Sequence, residues 1–374
     1  MHPGSARLAT LDGGRTGTGG GALMYRHALV IGKFYPPHVG HHHLVRRAAE
    51  LAERVTVVVV SSAAETIPLS ARVSWMRESH AGEATVSVTG IPCDAPMDLE
   101  SDTVWTAQVA CMKAAARTVT DIPVDAVVSS EKYGDELARR FSATHVCVDP
   151  SRVAHPASGT ACRGDLAGHW DDLDAPARAG LTTRIVVLGA ESTGTTTVSR
   201  ELVRRYRKRG GVWERTRWVP EYGRQATYDK LGTGTVDDID WTGDDFENIA
   251  VEQTRLEEDA AREGSPLLVC DTDAFATTVW ERRYLGSSER AWRGVRSRRA
   301  LYLLTDHHGV PFVQDGIRDG EHIRAEMTEW FVDALTATGR SWVLLTGSLE
   351  ERVDLAERVA DRALLLGSQF GAPL

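Results

Sequence analysis

From residue 24 onward, short apolar runs alternate with stretches whose apolar positions recur every three or four residues. The segments "HALVIG" (27–32), "RVTVVVVSS" (54–62), "TVSVTGI" (85–91), "DAVVSS" (125–130) and "THVCVD" (144–149) read as strands. Between them, "HHHLVRRAAELAE" (41–53), "RVSWMRESH" (72–80), "VWTAQVACMKAAART" (104–118) and "GDELARRF" (134–141) carry helical spacing. Strands alternating with helices predict a parallel, doubly wound α/β sheet. The rhythm pauses at "HWDDLDAPARAG" (169–180), which is acidic and has no strong period. It resumes at "TRIVVLG" (183–189) and continues through "PLLVCDTD" (266–273), "ALYLLTD" (300–306) and "SWVLLTG" (341–347). The pattern therefore predicts two α/β domains, 24–175 and 182–374, with the boundary near residue 180. Residues 1–23 contain seven Gly and little that could pack, so they are expected to be disordered.

Composition narrows the setting. A chain of 374 residues exceeds one ordinary core and suits two domains. No apolar run approaches the roughly 20 residues of a membrane helix, so no membrane partner is expected. A net charge of −9 argues against broad attraction to nucleic acid, while leaving local basic pockets for phosphates. Five scattered cysteines without C-x-x-C spacing read as reduced thiols in a cytoplasmic protein.

Ligands of open α/β sheets bind beyond the carboxyl ends of the strands. The first strand runs there into Gly32-Lys33-Phe34-Tyr35-Pro36-Pro37-His38-Val39-Gly40-His41. Gly32 and Gly40 allow the backbone close to a ligand, the prolines stiffen the turn, and a helix N-terminus follows. His38 and His41, three apart, share a helix face and can donate to charge developing on a leaving pyrophosphate. His42 and His43 fall outside this pattern and are expected at the surface or in packing.

This turn resembles the first motif of the HxGH nucleotidyltransferases, the adenylyltransferases of NAD, coenzyme A and FAD synthesis. The second motif of that family, Ser-x-Thr-x-x-Arg, is matched by "SGTACR" at Ser158, Thr160 and Arg163. The resemblance implies a Rossmann-like domain in which these residues, with Gly32, Phe34 and Gly40, hold ATP. The 5′-phosphate of nicotinamide mononucleotide (NMN) would attack the α-phosphate, with His38, His41 and Arg163 stabilising the charge. Trp105 is the candidate aromatic face for the pyridinium ring.

A second Gly-rich turn, Gly189-Ala190-Glu191-Ser192-Thr193-Gly194-Thr195-Thr196, follows the strand at 183–188. It fits G-x-x-x-x-G-K-[ST] except that Thr195 occupies the lysine position. Thr196 stands where a hydroxyl holds Mg²⁺. Arg200, Arg204 and Arg205 follow on the helix, with no requirement that they point back. Downstream, Asp271 and Asp273 end a buried strand, where kinases place carboxylates for Mg²⁺ and for the attacking hydroxyl. Glu221 and Arg224 follow another extended stretch. "FVQDGIRDGEHIR" (312–324) suits a mobile lid with Arg318 reaching the phosphates.

With "GAEST", "PEYGR", the DTD strand, "QDGIRDG" and "LLTGSLEER", this half is similar to the ribosylnicotinamide kinase domain of the NadR-type bifunctional enzymes. The resemblance implies a P-loop kinase-type parallel α/β domain that phosphorylates nicotinamide riboside to NMN, which the first domain converts to NAD. It also implies ATP as co-substrate and Mg²⁺ as cofactor. Thr196 and Asp271 are the metal candidates; whether Asp271 or Asp273 is the base stays open. Some relatives begin with a DNA-binding helix-turn-helix, for which residues 1–23 are too short and Gly-rich, so no DNA-binding role is expected. A homo-oligomer is compatible with either half.

FAD synthesis pairs the first domain with a β-barrel kinase, which the second half does not resemble. A stand-alone phosphopantetheine adenylyltransferase would leave that half unexplained. The remaining rival is an active adenylyltransferase whose lysine-less P-loop domain only binds nucleotide as a regulatory module.

Overall fold

In a computed structural model the described residues are 24–95, 98–151, 153–232, 234–296 and 300–373. Residues 1–23, expected to be disordered, lie outside them. The chain divides into two compact units: Met1–Ala177 together with Gln369–Leu374, and Arg178–Ser368. The break lies between Ala177 and Arg178, and the last residues pack with the first unit, whereas the apolar pattern assigned them to the second.

The first unit holds strands β1 (Ala28–Gly32), β2 (Val55–Ser61), β3 (Val86–Pro92), β4 (Ala126–Ser129) and β5 (Thr144–Cys147). They pair in parallel in the order β3-β2-β1-β4-β5. The strands read as continuous apolar runs because helices cover both sheet faces. Side chains alternate between those faces. Ala28 and Val30 join Val57, Val45 and Met76 on one side, whereas Leu29 and Ile31 join Val58, Trp105 and Leu137 on the other. Because β2 and β4 flank β1 on opposite sides, the chain changes winding direction at β1, which opens a crevice beyond its carboxyl end.

The second unit repeats the logic with β6 (Thr183–Leu188), β7 (Arg217–Val219), β8 (Leu267–Asp271), β9 (Ala300–Thr305) and β10 (Ser341–Leu345). Their order is β10-β9-β6-β8-β7, again all parallel. Val186 and Leu188 pack with Leu268, Tyr302 and Leu304; Ile185 and Val187 pack with Val269, Leu303 and Leu345 on the opposite face. Each buried Val, Leu or Ile contributes on the order of 1.5–3 kcal/mol, so each sheet carries its own core.

The pause at 169–180 is more structured than its pattern suggests. Trp170 is fully buried, and a short helix runs over Ala175–Leu181, its first turn capped where Ala177 N–H donates to Asp174 Oδ1 at 3.1 Å. Seven residues are too few to display a helical period, which is why the segment reads as irregular.

Candidate functional sites

In the first unit, β1 ends at Gly32 and the helix Val39–Leu51 starts six residues after Lys33. The His38 imidazole caps that helix by accepting from Gly40 N–H at 3.2 Å. Phe34 adopts a φ of +46°, which costs an aromatic residue energy, and burial of its ring holds it there. The His38 and His41 ring centroids stand 3.8 Å apart, so the two imidazoles form one donor surface.

The second motif comes from the opposite wall. Ser158 caps the short helix Gly159–Gly164 by accepting from Ala161 N–H at 3.1 Å. Arg163 donates to the Tyr35 carbonyl at 2.5 Å and to Thr160 Oγ1 at 3.3 Å, so the cation is held against the first motif. Gly32, Phe34, His38, Gly40, His41, Trp105, Ser158, Thr160 and Arg163 all line one cavity of about 360 Å³. Residues 120 positions apart in the chain thus face a single space.

Trp105 occupies a double position. It is buried among Val109 and Leu137, its indole N–H donates to the Leu99 carbonyl at 3.0 Å, and part of its surface borders the cavity. His42 is buried in packing, with Nδ1 3.0 Å from His80 Nε2 and Nε2 3.2 Å from Asp174. His43 borders the cavity instead, its ring 4.9 Å from that of His155. Behind the turn lies a buried cluster that sequence reasoning did not single out. Arg72 pairs with Glu65 at 2.7 Å and donates to the Lys33 carbonyl at 2.8 Å. Burial alone would raise the Glu65 carboxyl, but Lys33 and Arg72 hold it below its ordinary value. Arg72 lacks any motif signature; only its packing reveals the role.

In the second unit the turn after β6 cradles a smaller cavity of about 120 Å³. Gly189, Thr195, Thr196, Glu221, Arg224, Asp271 and Arg318 line it. Gly194, at a φ of +91°, caps the helix Thr195–Arg207 instead of lining the cavity. Thr196 Oγ1 donates to Asp271 Oδ2 at 2.5 Å, and Thr195 also hydrogen-bonds Asp271. Burial pushes the Asp271 carboxyl up, while those hydroxyls and the charges of Arg200 and Arg224 oppose the rise.

Asp273 corrects an expectation. It does not line the cavity: its side chain caps the helix Ala274–Leu285 through Ala276 N–H at 2.9 Å and accepts from Tyr302 O–H at 2.8 Å. Thr272, at a φ of +68°, turns the chain between the two aspartates, so they face different surroundings.

Glu221 is the more perturbed acid. Burial and the neighbouring Asp271 charge push its pKa up to about 7. The arginines after the P-loop are engaged elsewhere: Arg204 pairs with Glu201, Arg205 with Asp354 at 2.6 Å, and Arg200 lies over the Trp218 ring. Arg318 comes from the 312–324 segment and donates to Ser192 Oγ at 3.0 Å within the P-loop. That segment is anchored further by Gly320 N–H to Glu191 at 2.7 Å and by Arg283 between Glu191 and Asp319.

An aromatic wall completes the cavity. Trp241, Phe246 and Tyr284 have ring centroids 5.4–6.2 Å apart, with Gln253 and Thr277 beside them. Sequence reasoning missed these residues because "WTGDDFENIA" reads as a helix start, with Thr242 and Asp245 forming its capping box.

Residues 29–153 match the cytidylyltransferase-like family and residues 184–352 match the AAA domain family. The chain is 22% identical over 304 residues to the trifunctional NAD biosynthesis/regulator protein NadR of Salmonella typhimurium, covering 78% of this chain and 71% of that protein. That similarity runs through both halves of the chain. The NadR of Escherichia coli matches at 22% over 308 residues with the same coverage. The fold agrees as well. A crystal structure of a NadR protein in complex with NR superimposes with a TM-score of 0.64 at 20% identity, covering 92% of this chain and 98% of that one. A NadR complex with NAD and AMP-PNP gives 0.62 at 20% identity with the same coverage. The cytidylyltransferase-like match precedes the AAA match along the chain, and the two cavities follow the same order.

Proposed function

We propose that this chain makes NAD in two steps: phosphorylation of nicotinamide riboside to NMN in the second unit, and adenylyl transfer from ATP to NMN in the first. The observation that carries this reading is the convergence of both nucleotidyltransferase motifs, His38 and His41 with Arg163, on one cavity. In the first unit no side chain need act as a nucleophile, because the phosphate of NMN attacks the α-phosphate. His38, His41, Arg163 and the helix N-terminus at Val39 hold the departing pyrophosphate, and Ser158 and Thr160 position it. Trp105 offers a ring face to the pyridinium.

In the second unit the placement of the acids supports one division of roles. Glu221, near neutral pKa, is the base for the riboside 5′-hydroxyl. Asp271 and the Thr196 hydroxyl, hydrogen-bonded to each other, are hard oxygen donors suited to Mg²⁺, which would neutralise phosphate charge there. Arg318 supplies the cation that Thr195 lacks, and Arg224, paired with Asp315, orders the same segment. The aromatic wall of Trp241, Phe246 and Tyr284 suits a planar cationic ring.

Free cysteines and the absence, among the described residues, of any helix long and apolar enough to cross a membrane fit a cytoplasmic setting. Small-molecule substrates account for both cavities without a nucleic-acid partner. One observation favours a second reading: Thr195 in the lysine position, which suits a domain that binds nucleotide without transferring phosphate. Chromatographic product analysis with ATP and Mg²⁺ separates the two. NAD formed both from nicotinamide riboside and from NMN supports the two-step reading. NAD from NMN alone, with the riboside untouched, makes the second unit a regulatory module.

A further inference from the structure

The chain leaves the first unit after Ala177 and returns to it at Gln369. The returning segment does more than end the last helix, Leu349–Gly367. Tyr35, inside the first nucleotidyltransferase motif, donates its hydroxyl hydrogen to the Gly371 carbonyl at 3.1 Å. The Tyr35 oxygen in turn accepts from Thr66 N–H at 2.9 Å and pairs with Thr66 Oγ1 at 2.9 Å. Gly371 N–H closes the ring by donating to Thr66 Oγ1 at 3.4 Å. Tyr35, Thr66 and Gly371 thus form one hydrogen-bonded circuit. Phe370 meets the Tyr35 ring edge-on at 6.0 Å, and Pro373 borders the same cavity as His38, His41 and Arg163. The approach is close enough to demand glycine, since a Cβ on Gly371 would stand 2.1 Å from the Ala64 carbonyl oxygen.

Tyr35 is also where Arg163 is held. Its carbonyl accepts from Arg163, and the guanidinium lies 5.0 Å from the centroid of its ring. The ties of this segment converge on the residue that positions the phosphate-binding cation. We infer that residues 369–373 form a C-terminal strap belonging to the adenylyl-transfer site, fixing Tyr35 and through it Arg163. Tyr35 is a positioning residue on this account. The inference rests on the adenylyl-transfer reading above for its effect on rate, though not for the docking itself.

The test compares the full chain with a deletion of 369–374 and with Gly371→Val. NMN conversion to NAD is followed with kcat and KM for ATP resolved separately; a thermal melt of the same preparations checks the fold of the first unit, and riboside phosphorylation that of the second. Both changes are expected to lower kcat/KM for ATP roughly fivefold to tenfold, the scale of one or two hydrogen bonds, with riboside phosphorylation unaltered. Tyr35→Phe, which keeps the ring and removes the hydroxyl, should reproduce the loss. Combined with the deletion it should cost no more than either change alone. An unchanged kcat and KM in the deletion overturns the strap while leaving adenylyl transfer intact. A full chain that makes no NAD from NMN overturns the adenylyl-transfer reading instead. Docking is read independently by hydrogen exchange. The Gly371 amide, which donates to Thr66, should exchange slowly in the full chain, and the segment around Thr66 should exchange faster after deletion. An unprotected Gly371 amide in the full chain overturns the strap whatever the kinetics.

Discussion

Glu221 illustrates how function and stability pull apart at one carboxyl. Its ordinary pKa is 4.5, and burial with the Asp271 charge raises it to about 7 in the folded protein. The folded chain therefore holds this proton more tightly than the unfolded one. Below about 4.5 the group costs nothing; the cost of its charge grows as pH rises and is complete above about 7. Glu221→Gln should accordingly raise the melting temperature of the metal-free protein at about pH 8 and change it little at about pH 5. The same variant should lose riboside phosphorylation by about a hundredfold or more. Thermal melts at the two pH values and a kinase assay check both halves. In the sequence the two glycine-rich turns, Arg163 and Glu221 stand out by type and spacing. Arg72, Tyr35 and the aromatic wall do not, because each acts through neighbours that only folding brings near.

The turn after β8 shows what an element adds to a motif. Asp271 and Asp273 are two positions apart, and on a continuing strand they would point to the same face. Thr272 in the left-handed region ends that regularity, leaving Asp271 beside the P-loop hydroxyls and Asp273 at the mouth of a helix. The expectation for Asp273 rested on its place at a strand end; the backbone turns its side chain onto a helix N-terminus. Asp273→Asn keeps an oxygen for Ala276 N–H and should retain most kinase activity, whereas Asp271→Asn should reduce it by two orders of magnitude or so. Measured turnover for the pair, with melts to confirm folding, checks the assignment. The strands themselves were readable because both sheet faces are covered and their residues are almost all apolar. Their order in each sheet was not, since pairing depends on contacts between segments far apart in sequence.

At the scale of the molecule, the two units carry separate cores, each with apolar clusters on both faces of its own sheet. The two reactions should therefore be separable. His41→Ala should stop NAD formation from NMN and leave riboside phosphorylation, and Asp271→Asn should do the reverse. A mixture of the two variants should make NAD from nicotinamide riboside through NMN released into solution, and chromatography of the mixture checks it. A mixture that accumulates NMN without NAD would contradict the assignment of adenylyl transfer to the intact first unit.

The path of the chain has a practical corollary. Because the first unit is assembled from 24–177 and 369–373, no single cut through the sequence yields it whole. A fragment ending at the apparent boundary would carry both nucleotidyltransferase motifs and still lack part of its own wall. An affinity tag placed after the kinase half would be felt by the other enzyme.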